Sequence, residues 1–237
     1  MPQFSKRSAI SELMDNFSMS QQELDINLLE LETINKWLGG YAVSLNGILK
    51  LNLPESKEIT VVDIGCGGGD GMIFIQKELK NKGIKARMIG IDANPKAIEY
   101  AKKRCKTNPD FVWICAPFQE IYNLEADIMH CSLFAHHFYD KDLEALSRLM
   151  KTAKVGFVVN DLHRHWLAYY SISILTRLFS NSHLVQNDAR LSVAKGFSKN
   201  EMQQIFSSPN LKKLDLRWKW AFRWQLVGTT SMDGDNP

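Results

Sequence analysis

Apolar positions along this chain change rhythm repeatedly, and each change marks an element. Residues 59–64, with Ile59, Thr60, Val61, Val62 and Ile64, form a short β-branched run of the kind buried on both faces of a parallel sheet. Over 71–80 the rhythm lengthens. Met72, Ile75 and Leu79 recur at helical spacing there, so the stretch predicts a strand, a turn and a helix. A second apolar strand over 86–91 stops at Asp92, and another occupies 155–160. Ahead of the first strand, Ser20 and Glu23 form a capping box. Leu24, Leu28, Leu31, Trp37 and Leu38 then fall near one helical face, with Ile26 off it, until Gly39 and Gly40 end the pattern. Late in the chain, 166–179 is apolar around most of a helix, Ser198 and Glu201 cap a further helix through Phe206, and 211–229 alternates as strands do.

The chemistry concentrates in the turn at 61–71, VVDIGCGGGDG, where backbone can approach a ligand without interference from Cβ atoms. Asp92, at the lip of the neighbouring strand, suits a ribose, because one carboxylate accepts from both vicinal hydroxyls. Two nucleoside ligands fit that layout, and glycine spacing separates them. A dinucleotide fingerprint needs G-x-G-x-x-G, yet the last position is Asp70 in one register and Met72 in the other. A carboxylate there opposes a pyrophosphate at a helix N-terminus.

What the turn does match is D-x-G-x-G-x-G, as Asp63, Gly65, Gly67 and Gly69. In this the chain resembles the class I (Rossmann-like) S-adenosylmethionine-dependent methyltransferases of the small-molecule type. Their cofactor is phosphate-free and cationic, which agrees with an acidic loop. The resemblance implies an α/β fold: a doubly wound, mostly parallel seven-stranded sheet with an antiparallel C-terminal hairpin, N-terminal helices and a helical cap after the fifth strand. It implies that Gly65, Cys66, Gly67 and Gly69 border the methionyl end, that Asp63 acts near the ammonium, and that Asp92 holds the ribose with Ala93 and Asn94 beside it. Residues 111–121 resemble the third strand and adenine loop, where Ala116 and Pro117 replace the usual Asp. Adenine recognition is then expected from backbone around Pro117 and Phe118, or from Gln119. Residues 126–146 resemble the fourth strand with its following loop and helix, and Ser132 is expected at the cofactor.

That loop reads His136, His137, Phe138, Tyr139, Asp140 where many O-methyltransferases carry H-D-W-x-D with the first His as base. The expected reaction is therefore O-methylation by in-line displacement, with His136 deprotonating a phenolic or enolic hydroxyl and His137 orienting it. His163 and His165, just past the fifth strand, are rival bases, while His130 in a strand and His183 in a loop read as structural. The cap at about 163–195 is expected to turn Trp166, Tyr169 and Tyr170 toward a hydrophobic, aromatic or phenolic substrate of polyketide or quinone type. An oligomer interface, as in a homodimer, and a membrane-surface helix are the other readings of that segment. C-methylation of a similar ring competes with O-methylation. From other classes, an NAD-dependent oxidoreductase and a catalytically silent cofactor-binding protein stay open.

Composition narrows the partners. The 237 residues, 45% hydrophobic with a net charge of +3, suffice for one sizeable core and give no basic stripe for nucleic acid. No run approaches the ~20 apolar residues of a membrane span. The start has no apolar signal-peptide core, and Cys66, Cys105, Cys115 and Cys131 lack metal-ligand spacing, so reduced thiols, no metal and a cytoplasmic protein are expected. The expected layout is a helical lid at 1–56, a methyltransferase core at 57–230 and a loose tail at 231–237.

Overall fold

The computed structural model describes residues 4–15, 19–54, 58–106, 108–180 and 182–230; the expected tail at 231–237 lies outside them. Five strands alternate with helices and a hairpin closes the sheet. In chain order these are α1 (Gln21–Trp37), α2 (Gly40–Ile48), β1 (Ile59–Ile64), α3 (Asp70–Asn81), β2 (Ala86–Asp92), α4 (Pro95–Arg104), β3 (Phe111–Cys115) and β4 (Ile128–Ser132). Then come α5 (Asp140–Met150), β5 (Gly156–Leu162), α6 (Trp166–Phe179), α7 (His183–Lys195), α8 (Lys199–Phe206), β6 (Leu211–Lys219) and β7 (Arg223–Thr230). The seven strands run in the order β3-β2-β1-β4-β5-β7-β6. Strands β1 to β5 pair in parallel, and β7 enters antiparallel against both β5 and β6. This is the doubly wound α/β sheet with an antiparallel C-terminal hairpin that the sequence predicts.

Alternation along β1 explains the two-sided core. Val62 and Ile64 pack with Leu143, Leu146 and Met150 of α5 and with Met202 and Phe206 of α8. Ile59 and Val61 pack with Ile48 of α2 and with Met72, Ile75 and Leu79 of α3. Because neither face meets water, the strand carries no outward polar stripe. Sheet order reverses between β1 and β4, so the C-terminal ends of the central strands open a crevice where ligands bind in such folds.

Both capping boxes form. Ser20 and Glu23 start α1, and Ser198 and Glu201 start α8. Two local expectations change. Trp37 does not share the buried face of Leu24 and Leu28; at the last turn of α1 it is exposed and meets Phe179. His183 opens α7 instead of sitting in a loop, with Ser182 as cap. Cys115 ends the edge strand β3 and is exposed, while Cys66 and Cys131 are buried.

Where β5 pairs with β7, space is tight. A Cβ on Gly156 would lie 2.4 Å from the Gly228 carbonyl oxygen, a backbone atom that cannot swing aside. Gly156→Ala is expected to cost about 2 kcal/mol by overpacking, lowering the melting temperature by roughly 4–8 °C in a thermal melt.

Candidate active site

One cavity of about 1040 Å³ opens at the C-terminal ends of the central strands, bordered by α1, α2, α6, α7 and the β6–β7 turn. Asp63, Gly65, Cys66, Gly67, Asp92, Ala93, Asn94, Pro117, Phe118 and Ser132 all line it. Gly69 does not. It caps α3 in the left-handed region, at φ 74°, and a Cβ there would lie 2.3 Å from the Trp113 ring, so its lack of a side chain serves packing. Gly67 is the opposite case. At φ 52° its Cβ direction meets only Leu28, at 3.8 Å, so the turn leaves open space on the cavity side.

The carboxylates are held by backbone. Asp92 accepts from the Gly67 N–H through Oδ2 (2.9 Å) and from the Asn94 N–H through Oδ1 (2.8 Å), leaving lone pairs on both oxygens. Burial raises its pKa, and the two N–H groups oppose that rise. Asn94 itself caps α4 by accepting from Lys96 N. Asp70, whose pKa burial also raises, sits in the first turn of α3 and accepts from the Tyr41 hydroxyl. The positive end of α3 therefore already carries a carboxylate, which disfavours a phosphate there.

His130, which also lines the cavity, is bonded to Asp63. Its Nδ1 donates to Asp63 Oδ1 (2.7 Å) and its Nε2 accepts from the Ser44 hydroxyl (2.8 Å). Ser44 in turn accepts from Asn160 Nδ2 at 3.0 Å, which also reaches the Gly40 carbonyl at 2.9 Å. That chain of bonds ties α2 to β1, β4 and β5 and sets the Asp63 carboxylate in the cavity wall.

The histidine loop forms a short 3₁₀ turn, Ala135–His137, and brings together groups far apart along the chain. His136, only 2% exposed, donates from Nδ1 to Asp161 Oδ1 at 2.7 Å, and its backbone N–H reaches Asp161 Oδ2 at 3.2 Å. Burial by itself would raise the Asp161 pKa, but His136 and the Leu162 N–H outweigh it and hold the carboxyl below its ordinary range. With Nδ1–H committed, His136 Nε2 is the basic nitrogen; it makes no hydrogen bond and lies 3.6 Å from Glu12 Oε1. Glu12 arrives from the N-terminal segment. There Leu13 and Met14 donate to Asp188 at 2.9 Å each, Ser192 donates to Glu12 Oε2 (2.9 Å), and Arg7 reaches the His136 carbonyl (2.7 Å). Glu12, His136 and His137 place donor atoms within 4.8 Å of one another, and the Lys195 ammonium, 3.3 Å from Glu12 Oε1, supplies a neutralising charge.

Other expected site residues fall elsewhere. His163 packs against Trp224 and lies outside the cavity lining, with its pKa lowered by burial and by His165. His165 caps α6 by accepting from Leu167 N. Trp166, Tyr169 and Tyr170 are absent from the cavity wall. Helical geometry gives the reason: the stripe Ala168, Ser171, Ile172 and Leu175 faces inward, which leaves Trp166, Tyr170, Ile174 and Leu178 exposed on the outer side. Gln119 lines the cavity and donates to Asp142 at 3.1 Å. Phe118 stacks edge-on with Phe134 and Phe138. Asp161 could have been suspected from sequence as a carboxylate ending an apolar strand; Glu12 carries no such signal.

Comparison with known proteins agrees with this layout. Residues 61–156 match the family model described as a methyltransferase domain. The plantazolicin methyltransferase BpumL, solved with a desmethyl-plantazolicin analogue and SAH, superposes with a TM-score of 0.65 at 16% identity, over 89% of this chain and 90% of that one. Human N-acetylserotonin methyltransferase in complex with SAM gives 0.62 at 14% identity, over 90% of this chain and 57% of that one. A SAM-dependent methyltransferase from Aquifex aeolicus gives 0.59 at 13%, over 90% and 100%. At these identities the likeness concerns the fold. No curated protein sequence matches the chain. Among the described residues, no helix is long and apolar enough to cross a membrane.

Proposed function

We propose that the chain, whose residues 61–156 match a methyltransferase domain, is a class I S-adenosylmethionine-dependent methyltransferase that methylates a small hydrophobic ring compound on oxygen. The Asp161–His136 pair carries this reading: a buried carboxylate 2.7 Å from Nδ1 fixes the tautomer and leaves Nε2 as the base. The cofactor's fit rests on three features: the space in front of Gly67, the two-oxygen Asp92 acceptor, and an α3 N-terminus already neutralised by Asp70. When bound, S-adenosylmethionine supplies a methyl group activated by a sulfonium.

The chain's own tasks are then alignment, exclusion of water and removal of a proton. Leu24, Leu28 and Leu31 of α1 with Ile172 and Leu175 of α6 give the cavity apolar walls suited to a ring. Ionising a phenol of pKa near 10 at pH 7 costs roughly 4 kcal/mol, and a base at the acceptor hydroxyl offsets much of it. As His136 Nε2 takes that proton, Asp161 on one side and Glu12 on the other stabilise the imidazolium. The N-terminal segment and α1, which border the cavity, act as its lid, and α6 with α7 as the cap.

Calorimetric titration with S-adenosylhomocysteine and with NAD tests the cofactor, and turnover on a panel of phenols tests the acceptor. Micromolar binding of S-adenosylhomocysteine, no binding of NAD, and methyl ethers as products are expected. Tight binding of NAD alone would overturn the reading, and ring-carbon methylation would replace O-methylation with C-methylation.

A further inference from the structure

Buried arginines in this protein come in two kinds. Arg164 is fully employed: Nε donates to the Phe4 carbonyl (2.9 Å), Nη1 to the Gly196 carbonyl (2.6 Å) and Glu201 (2.8 Å), and Nη2 to Glu201 (3.0 Å). Arg223, only 2% exposed, is not. Its Nη2 donates to Asn35 Oδ1 at 2.7 Å, while Nε and Nη1 have no acceptor. Among the described residues no carboxylate lies within ion-pair distance of it. Burial lowers its pKa to about 10, against the raising influence of Asp161 and Tyr41. A buried guanidinium without a carboxylate partner is costly, and the one bond to Asn35 leaves Nε and Nη1 unsatisfied.

Position supplies the missing reason. Among the described residues, Arg223 is the one arginine or lysine that lines the cavity, against Glu12, Asp63, Asp70, Asp92 and Asp188. It opens β7 opposite Leu162 of β5, one residue beyond the Asp161 that holds His136, so it stands about one strand spacing, ~4.8 Å, from that pair's strand. Room for the guanidinium is built in: a Cβ on Gly40 would lie 3.0 Å from its Cζ. The turn before it holds Ala221 (φ 59°) and Phe222 (φ 54°) in the left-handed region, which L side chains disfavour, and both line the same cavity.

We infer that Arg223 receives a carboxylate inside the cavity, by the planar two-bond pairing that guanidinium favours. A single cation suits a monoanion better than a phosphate dianion. The inference rests on the methyltransferase reading, under which two carboxylates can reach it: an acid group on the ring-bearing acceptor, or the carboxylate of the cofactor's methionyl part.

Paired titrations separate the sources. Wild-type protein is titrated with S-adenosylhomocysteine and its decarboxylated analogue, and, when saturated with S-adenosylhomocysteine, with 2-naphthoate and 2-naphthamide. In one pair the carboxylate is expected to improve affinity at least tenfold, and Arg223→Gln to shrink that gain below about twofold while the carboxylate-free partner binds as before; the pair affected names the source. Arg223→Lys is expected to keep part of the gain. Removing an uncompensated buried charge should leave the melting temperature unchanged or higher, and if Arg223→Gln does not fold, the wild-type and Arg223→Lys titrations decide. Equal affinity of the carboxylate-bearing and carboxylate-free ligands in both pairs would overturn the inference. Failure of S-adenosylhomocysteine and its decarboxylated analogue alike to bind would instead count against the methyltransferase reading itself.

Discussion

His136→Ala is expected to lower kcat at least about a hundredfold, within the range contributed by a general base, while S-adenosylhomocysteine affinity changes less than about twofold. The split follows from geometry. His136 lies on the loop after β4, bonded to Asp161 at the end of β5, whereas the carboxylates expected at the cofactor belong to β1 and β2. The substitution also leaves Asp161 buried without its ring partner, so a thermal melt must accompany the kinetics. His136→Gln keeps a side-chain donor in reach of Asp161 and separates a lost base from a damaged fold. Asp161→Asn should fall in the same direction, because an amide no longer dictates which imidazole nitrogen carries the proton. If His136→Ala turns over at near the parent rate, the base lies elsewhere or the acceptor atom is a carbon that needs none.

Asp92→Ala is expected to raise the dissociation constant for S-adenosylhomocysteine on the order of a hundredfold. Each hydrogen bond to a charged acceptor contributes about 1.5–3 kcal/mol, two ribose hydroxyls are at stake, and every 1.4 kcal/mol is tenfold. The backbone N–H groups of Gly67 and Asn94 would also lose their acceptor, which loosens the turn that faces the ligand. Because burial raises the Asp92 pKa, its charge is lost on acidification sooner than an ordinary carboxylate's. Parent affinity should therefore weaken as the pH falls toward the carboxylate range, and the Asp92→Ala variant should not share that dependence. An affinity within threefold of the parent at neutral pH would remove Asp92 from the cofactor site.

Local chemistry made much of this legible in one dimension. The β-branched run at 59–64, the glycine turn and Asp92 are contiguous or nearly so, and their spacing reports on backbone conformation and on one ligand's shape. Capping boxes at Ser20 and Ser198 are likewise decided within four residues. The cap was harder. A helix apolar on most sides, such as α6, does not say which side turns inward, and packing chose Ala168, Ser171, Ile172 and Leu175 over the larger aromatics. Gly69 misled for a related reason, since a glycine demanded by a neighbouring indole looks the same in sequence as one demanded by a ligand.

The chain by itself thus determined the doubly wound sheet, the strand-to-helix turn and the acidic character of that turn, because these depend on periodicity and on neighbours in sequence. Only the tertiary structure decided the acceptor side. Asp161 meets His136 across 25 positions, Arg7 reaches the same loop across 129, and Arg223 meets Asn35 across 188. Such partners are selected by sheet order and by the way terminal segments close over the strand ends, and no local pattern encodes a distance of that kind.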